Sequence, residues 1–347
     1  MLAALAAVPL RAAAGAALST AGHLDVDAMA SHASAPGPRR ETSVLLQWGG
    51  RFDTGAAGWW RGGLFEFSVM GVRSSGTAGA GSGAVQTPSD EWAPDFARVY
   101  QASYRQDLGN ADFRVGIMDL GQYFDASNQA ALLHNGSFGV SPTVMGNFDG
   151  PSFPNPGLGA VGERRGADWS VRAGLWQGEP PALRGVLSRG DMAIAEVERD
   201  WRAGGAGAPR GDFKLGAWEY RHGAAADGPD GSGSYLIGET SWRRGVRRWG
   251  AFVLGGRAPG AGEAIRSFVA CGLRLDAPLA SRPRDQASVG LSRVALAGGG
   301  AETVTEAVYA WRFDPSLSIQ PDLQYVADPG GVYAHAWIGG VRLHLAF

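Results

Sequence analysis

The last strand-like segment of the chain alternates between two kinds of side chain. Alternate side chains of a β-strand point to opposite faces. One face therefore carries Trp337, Gly339, Val341, Leu343, Leu345 and Phe347. The other face carries Ala336, Ile338, Gly340, Arg342 and His344. The first face can contact lipid and the second carries charge, which is typical of a strand in a membrane barrel.

Similar alternation recurs in segments of about ten residues from residue 43 onward, separated by turn residues. The segments lie near 43–54, 60–73, 96–107, 111–119, 157–165, 168–177, 191–201, 211–222, 234–244, 246–257, 265–275, 286–295, 301–312, 316–326 and 334–347. This count is odd, whereas single-chain bacterial barrels have even strand numbers.

The lengths of the links between segments resolve this count. Short links at 108–110, 166–167, 245 and 314–315 alternate with longer ones at 74–95, 120–156, 178–190, 223–233 and 327–333. Bacterial barrels keep short turns on the periplasmic side and long loops outside. With the long links outside, segment 43–54 runs toward the periplasm. A strand that runs outward must therefore precede it, and we predict that strand near 18–31. The sequence thus predicts an all-β fold: a closed antiparallel transmembrane β-barrel of 16 strands.

The long link 120–156 is too long for a plain connection and is typical of a functional loop. It contains a helical-looking piece at 127–134, followed by a stretch rich in Gly, Pro and Asn. We expect this extracellular loop to fold toward the lumen, and the alternative is a loop that caps the outside. Pro321 lacks an N–H group, so it predicts a bulge or an unpaired position within its strand.

Composition is compatible with a barrel and excludes several other classes. The chain has 54 glycines, a net charge of −2 and a single cysteine, Cys271. It therefore offers no basic excess for a nucleic acid, no disulfide framework and no thiolate metal cage. After residue 30 there is no apolar run of about 18 residues, which argues against a helical membrane protein. A soluble sandwich or propeller remains the structural alternative.

The N-terminal segment 1–17 is apolar and rich in alanine, like the hydrophobic part of a secretory signal. It lacks a basic beginning, and Arg11 interrupts it. We interpret residues 1–17 as the remnant of a signal whose start lies upstream, and residues 18–347 as one barrel domain. An ordered N-terminal helix is the alternative.

Two stretches resemble a known family. Residues 113–147 read FRVGIMDLGQYFDASNQAALLHNGSFGVSPTVMGN, and residues 302–331 read ETVTEAVYAWRFDPSLSIQPDLQYVADPGG. With the Trp-Trp-Arg-Gly-Gly run at 59–63, they resemble the carbohydrate-selective porins (OprB type) of Gram-negative outer membranes. The resemblance covers most of residues 55–347. It implies a sixteen-stranded barrel that admits sugars by diffusion, with outer loops narrowing the channel. The N-terminal part matches poorly, and the chain is compact for the family.

Charged side chains at mid-strand positions should face water inside the barrel, because facing lipid costs about 2–4 kcal/mol each. We predict these pore-lining residues: Arg105, Arg114, Arg172, Trp176, Glu196, Glu239, Arg274, Glu306, Asp322 and Arg342. Gln101, Gln320 and Gln324 extend the polar face, and Trp218 is a further aromatic candidate. A one-residue error in register would turn any of them outward.

Catalytic and cofactor motifs are not evident. The six histidines are scattered, and the chain has no Gly-x-Ser-x-Gly elbow. Glu196 and Glu198 share a strand face two residues apart, which resembles the paired carboxylates of a glycosidase, but any hydrated wall of alternating residues yields such pairs. We therefore expect no enzyme, no cofactor and no metal site.

The sequence predicts a passive, sugar-preferring porin in the outer membrane of a Gram-negative bacterium, with the lipid bilayer and small carbohydrates as its partners. A non-selective or ion-preferring porin of the same fold is the first alternative. An outer-membrane barrel enzyme and a soluble glycan-binding β-protein are the others. Monomer and homotrimer both stay open.

Overall fold

The computed structural model describes residues 16–37, 39–76, 78–178, 190–205, 207–223, 230–260 and 263–347. Within this part of the chain, sixteen antiparallel strands form one closed barrel. Each strand pairs with its sequence neighbours, and the first strand pairs with the last.

Strands β1 to β8 are Leu18–Ala33, Arg40–Asp53, Gly63–Ser75, Phe96–Asp107, Ala111–Met118, Gly157–Arg165, Trp169–Gln177 and Asp191–Arg202. Strands β9 to β16 are Arg210–Arg221, Gly231–Arg244, Arg247–Arg257, Ile265–Asp276, Gln286–Leu296, Ala301–Arg312, Leu317–Ala327 and His335–Ala346. The predicted sixteen-strand barrel is confirmed, including the strand inferred at 18–31 from link lengths.

The ring closes where β1 meets β16. Their register runs from His23 opposite Ala346 to Ala33 opposite Ala336. Beyond this ladder, Gly22 and Phe347 exchange two backbone hydrogen bonds of 2.8 and 2.9 Å. Closure therefore leaves no free sheet edge, as a barrel in lipid requires.

Alternation along the strands separates two faces. Large apolar side chains on the outward face are exposed, among them Val44, Leu46, Phe67, Leu215 and Leu323. Aromatic side chains gather at the end where the C-terminus lies, and Phe52, Trp59, Trp60, Phe65 and Tyr104 contact one another there. An apolar band with aromatic rings near the interface is typical of an outer-membrane barrel.

The links follow the predicted alternation of length. The end that holds Leu18 and Phe347 carries turns such as 108–110, 166–168 and 245–246, whereas the opposite end carries links 76–95 and 119–156. Pro321 leaves a gap in the ladder as predicted. The β14–β15 pairs run to Val308–Asp322 and resume at Trp311–Ile319. The helical-looking piece at 127–134 is not a helix but a series of turns.

No helix in the described ranges is long and apolar enough to cross a membrane. Residues 1–15 lie outside the described part of the chain. The signal remnant at 1–17 therefore stays a prediction, as does the domain boundary at residue 18.

An arginine on the outward face should destabilise the barrel according to its depth in the bilayer. Leu323 lies at the middle of β15 and is 52 % exposed, whereas Leu345 lies near the end of β16. We expect Leu323→Arg to lower the free energy of unfolding by about 2–4 kcal/mol, and Leu345→Arg by about 0–1 kcal/mol. Urea unfolding of protein folded into lipid vesicles measures both. Equal losses at the two positions would contradict this orientation of the barrel.

Candidate functional site

The inward face of the wall carries most of the buried charge in the described structure. In consecutive strands, Glu196, Lys214 and Glu239 project to the same side, as do Glu306 and Arg342 farther around the ring. Each sits opposite or diagonal to another inward residue in the strand register. The enclosed face therefore presents ionic and amide groups to whatever occupies the lumen.

The loop at 119–156 packs against this inward face. Ser127 Oγ donates to Glu239 Oε2 at 2.5 Å, and the backbone N–H of His134 donates to Glu306 Oε1 at 2.5 Å. Lys214 Nζ donates to the carbonyl of Ala126 at 2.8 Å. These wall groups form hydrogen bonds with backbone and side-chain groups of the loop. Residues 128–132, beside these contacts, form turns and not a helix.

Between this loop and the wall lies a large hydrophobic cluster that the sequence did not indicate. The loop contributes Phe124, Leu132, Leu133, Phe138, Val140 and Val144, and the wall contributes Trp176, Trp218, Tyr220, Tyr235, Ile237, Phe252, Leu254, Phe268 and Val294. Part of the inward wall is thus apolar, because it serves as the core beneath the loop rather than as a hydrated surface.

A glycine on the inward face of β13 allows this close packing. A Cβ added at Gly290 would lie 2.5 Å from Leu133 Cδ1 and 2.7 Å from Phe138 Cζ. Any larger residue would have to displace the loop side chains. On the outward face, Gly339 has no atom within 4 Å of such a Cβ. Leu133 and Phe138 of the loop therefore lie directly against β13 at Gly290.

The loop at 76–95 is also fixed to the wall. Its Val85 and Gln86 N–H groups both donate to the Glu302 carboxylate at 2.8 Å. Arg342 forms ion pairs with Asp27 at 2.6 Å, Asp90 at 2.7 Å and Glu91 at 3.1 Å. Asp27 belongs to β1 and Arg342 to β16, so this cluster joins the closing strands and the loop.

Two of the cavities in the described structure lie beside these loops. One, of about 570 Å³, lies toward the end with the long loops, and Trp92, Phe96, Arg98, Phe153 and Asn155 line part of it. The other, of about 550 Å³, lies toward the end with Phe347. Its lining includes Asn128, Gln129, Asp200, Trp201, Arg202, Arg210, Asp212, Glu239, Arg248, Arg274, Asp276, Gln286 and Arg312. We call them the outer cavity and the inner cavity.

Burial shifts the pKa of three side chains in these loops. It raises the pKa of Asp125 to about 7 and lowers the pKa of His134 to about 4. Burial also raises the pKa of Asp90 to about 6, although Arg342 opposes this change. The loops are therefore held with an imidazole that is neutral and carboxyl groups that titrate near neutral pH.

All ten predicted site residues lie on the inward face, but they fall into separate groups. Arg172 contacts Glu196 at 2.8 Å, and Glu239 and Arg274 line the inner cavity. Two further predicted residues form ion pairs on the wall: Arg114 with Glu66, and Arg105 with Asp112. Arg342, Glu306 and Asp322 are buried beneath the loops.

The two aromatic candidates also face inward, but the loop covers them. Trp176 is buried, and its indole N–H donates to the carbonyl of Met118 at 3.2 Å while its ring contacts Phe124. Trp218 contacts Phe148 within the same cluster. Sequence reasoning did not select Trp92 or Arg98 of the outer cavity. Trp92 lies in a link without periodicity, and a bulge between Ser68 and Val69 disturbs the register on which Arg98 depends.

The raised pKa of Asp125 predicts a dependence of stability on pH. A carboxyl group whose pKa is higher in the fold than in the unfolded chain stabilises the fold fully at low pH, and this contribution disappears as the pH rises through about 7. Asp125→Asn keeps the residue neutral and tolerates the left-handed backbone there, where φ is 52°.

We expect Asp125→Asn to exceed the wild type in free energy of unfolding at pH 8, by at most about 4 kcal/mol, and to approach it at pH 4.5. Urea unfolding at both pH values measures the difference. The exposed Asp149→Asn in the same loop is the control and should show no such dependence. An Asp125→Asn effect that is equal at both pH values would contradict burial of the charged group.

The sequence matches the carbohydrate-selective porin, OprB family over residues 41–243 and 220–347. No curated protein matches it. The fold is similar to OprB of Pseudomonas putida at high pH, with a TM-score of 0.82, 15 % identity, and coverage of 94 % of this chain and 93 % of that one. The low-pH structure of the same protein is similar with a TM-score of 0.65 and 13 % identity, and the match covers 95 % of this chain and 93 % of that one.

An anion-selective porin from Comamonas acidovorans is also similar, with a TM-score of 0.60, 12 % identity, and coverage of 95 % of this chain and 99 % of that one. These structures share the fold, and the family match covers nearly the whole barrel. The chain therefore belongs to the carbohydrate-selective porin (OprB) family, as a sugar-preferring porin of the Gram-negative outer membrane.

Proposed function

We propose that small neutral sugars diffuse through the outer cavity, past the loop at 119–156, and out through the inner cavity. The observation that carries this proposal is the docking of that loop on the inward wall through Glu239 and Glu306. A barrel of sixteen strands would otherwise leave a wide aqueous channel. The loop reduces it to cavities of about 550–570 Å³, a size suited to a small solute.

The charges along this path support a neutral solute. Arg202, Arg210, Arg248, Arg274 and Arg312 line the inner cavity, together with Asp200, Asp212, Glu239 and Asp276. Five positive and four negative groups leave a formal charge of only +1. The outer cavity has Arg98 against Asp90, Asp95 and Asp149. Neither cavity has the large excess of one sign that would concentrate one kind of ion.

Of the predicted residues, Glu239 and Arg274 are those we assign to the solute path. Arg274 Nη1 donates to the carbonyl of Asn128 at 3.2 Å, and Arg274 Nε contacts Asp276 at 3.1 Å. Several of its N–H groups stay available to sugar hydroxyls. The remaining predicted residues act by holding the loops and the wall, and so set the width of the path.

The outer cavity offers the groups that bind a sugar ring. The indole N–H of Trp92 is buried and has no hydrogen-bond partner among the described residues. Arg98 lies over the ring of Phe96 at 4.3 Å and donates to Asn155 Oδ1 at 2.5 Å. A free donor beside an oriented guanidinium and aromatic faces suits a solute with hydroxyl groups and C–H faces.

The fold and family indicate a channel rather than an enzyme, and we further infer that the channel catalyses nothing. Both members of the carboxylate pair that comes nearest to a glycosidase arrangement, Glu196 and Glu198, are bound by one arginine. Arg172 contacts Glu196 at 2.8 Å and Glu198 at 2.5 Å. Carboxylates held in this way serve poorly as an acid and a base. Incubation of the purified protein with a panel of oligosaccharides should release no sugar, and release above the buffer rate would contradict the inference.

The decisive experiment measures single-channel conductance in planar bilayers while neutral sugars are added. We expect the sugars to reduce the ionic current in a saturable manner. A current unaffected by any sugar, with strong preference for one ion, would favour the alternative of an ion-preferring porin. The mass of the purified channel, measured on the same preparation, tests the homotrimer. A homotrimer would have a protein mass about three times that of the 36.2 kDa chain.

Trp92 should contribute to sugar affinity through its indole N–H. We expect Trp92→Phe, which keeps an aromatic ring but loses the donor, to raise the sugar concentration that halves the current by about two- to tenfold, as the loss of one hydrogen bond would. Trp48→Phe on the outward face is the matched control and should leave this concentration unchanged. An unchanged Trp92→Phe channel would remove Trp92 from the proposed path.

A further inference from the structure

One buried cluster is not explained by solute passage. It joins His134 of the loop at 119–156 to Glu306 of β14 and Asp322 of β15. An imidazole nitrogen and one carboxylate oxygen from each acid lie within 4.8 Å of one another. The exposed fractions are 1 % for His134, 1 % for Glu306 and 5 % for Asp322. The three groups are thus removed from solvent and assembled from distant parts of the chain.

The hydrogen bonds around the cluster leave particular atoms free. Asp322 Oδ2 accepts from Gln324 Nε2 at 2.7 Å, whereas Asp322 Oδ1 is buried with no donor group beside it, and the Asp322 carboxyl lies within hydrogen-bonding reach of the Glu306 carboxyl. His134 Nδ1 is likewise buried without one. Unpartnered acceptors at such depth are costly, and a native structure normally compensates them. A bound cation is the direct compensation for several facing acceptors.

The histidine already has the partner that a metal-binding imidazole needs. Its Nε2 lies 3.0 Å from Gln320 Oε1, while Gln320 Nε2 donates to Ser318 Oγ at 3.0 Å. Because the amide nitrogen is used by Ser318, Oε1 acts as acceptor and His134 Nε2 carries the proton. The lone pair of Nδ1 is then free for a ligand. Metal-binding histidines nearly always donate their other ring N–H in this way.

Charge points to the same conclusion. The nearby cation Arg342 contacts Asp27, Asp90 and Glu91, three carboxylates for one guanidinium. No described ion pair joins Glu306 or Asp322 to a cationic side chain. Glu306 instead accepts two backbone N–H groups, from His134 at 2.5 Å and Asn135 at 3.1 Å. Two buried carboxylates without a counter-ion are compensated by one divalent cation.

We propose that His134, Glu306 and Asp322 bind one divalent transition-metal cation of the zinc class, which fastens the tip of the loop to the wall. An imidazole with two carboxylates suits zinc, whereas calcium and magnesium prefer oxygen ligands alone. Ligands at about 2.0–2.2 Å from a common zinc lie about 3–4 Å apart, so these side chains need only a small closure. The site is structural and separate from the solute path.

The experiment uses untagged, full-length protein in detergent, stripped with a chelator and then titrated with Zn²⁺ by calorimetry. The wild type should bind one Zn²⁺ per chain at this site. His134→Gln and Asp322→Asn should each weaken this binding at least tenfold. Gln320→Leu should weaken it about 10–100-fold through the loss of the supporting hydrogen bond. His335→Gln, at an exposed histidine that begins β16, is the matched control and should retain wild-type binding.

Folding of each variant is checked independently by the heat-dependent shift of a folded barrel on a denaturing gel. A folded wild type that binds no Zn²⁺ would overturn the proposal and indicate that Glu306 and Asp322 share a proton. Binding that persists unchanged in both His134→Gln and Asp322→Asn would also overturn it, since the ion would then lie elsewhere. A variant that fails to fold is replaced by Glu306→Gln, which removes a ligand charge with little change in shape.

Discussion

The structure depends on one constraint of the hydrocarbon layer: every backbone N–H and C=O that crosses it must find a partner in the protein. A sheet satisfies this only when it closes, and here β1 pairs with β16 from His23 to Ala33. Closure in turn defines an inside and an outside, so the period-two alternation of each strand acquires a fixed meaning. The apolar residues meet lipid, and the charged residues have only the lumen to face.

The interior is not simply hydrated, however. The loop at 119–156 has its own hydrophobic side chains, which pack on apolar residues such as Phe252 and Leu254 of β11. The narrowing of the channel therefore rests on a packed core of the kind that stabilises soluble domains. Its polar anchors, Glu239 and Glu306, satisfy loop groups that would otherwise be buried without partners. This combination fixes the loop more firmly than surface hydrogen bonds alone could.

The sequence predicted the wall better than its contents. Strand limits such as Gly157–Arg165 and Ala301–Arg312 follow directly from alternation and turn residues, and the need for an even number of strands located β1. The loop contacts could not be found in this way. His134 and Glu306 are separated by 172 positions, and no periodicity connects them. Trp176 faces inward as predicted, yet the loop covers it, because inward orientation does not determine what a lumen contains.

The ion pair between Asp27 and Arg342 has a consequence for how the molecule is assembled. Asp27 belongs to the first strand and Arg342 to the last. The guanidinium of Arg342 also contacts Asp90 of the loop at 76–95. Arg342 is buried inside the ring, and removing one member of a buried ion pair leaves an uncompensated charge that is strongly destabilising. The seam of the barrel and the docking of this loop are therefore coupled, because neither is complete until the same guanidinium has the carboxylates of both.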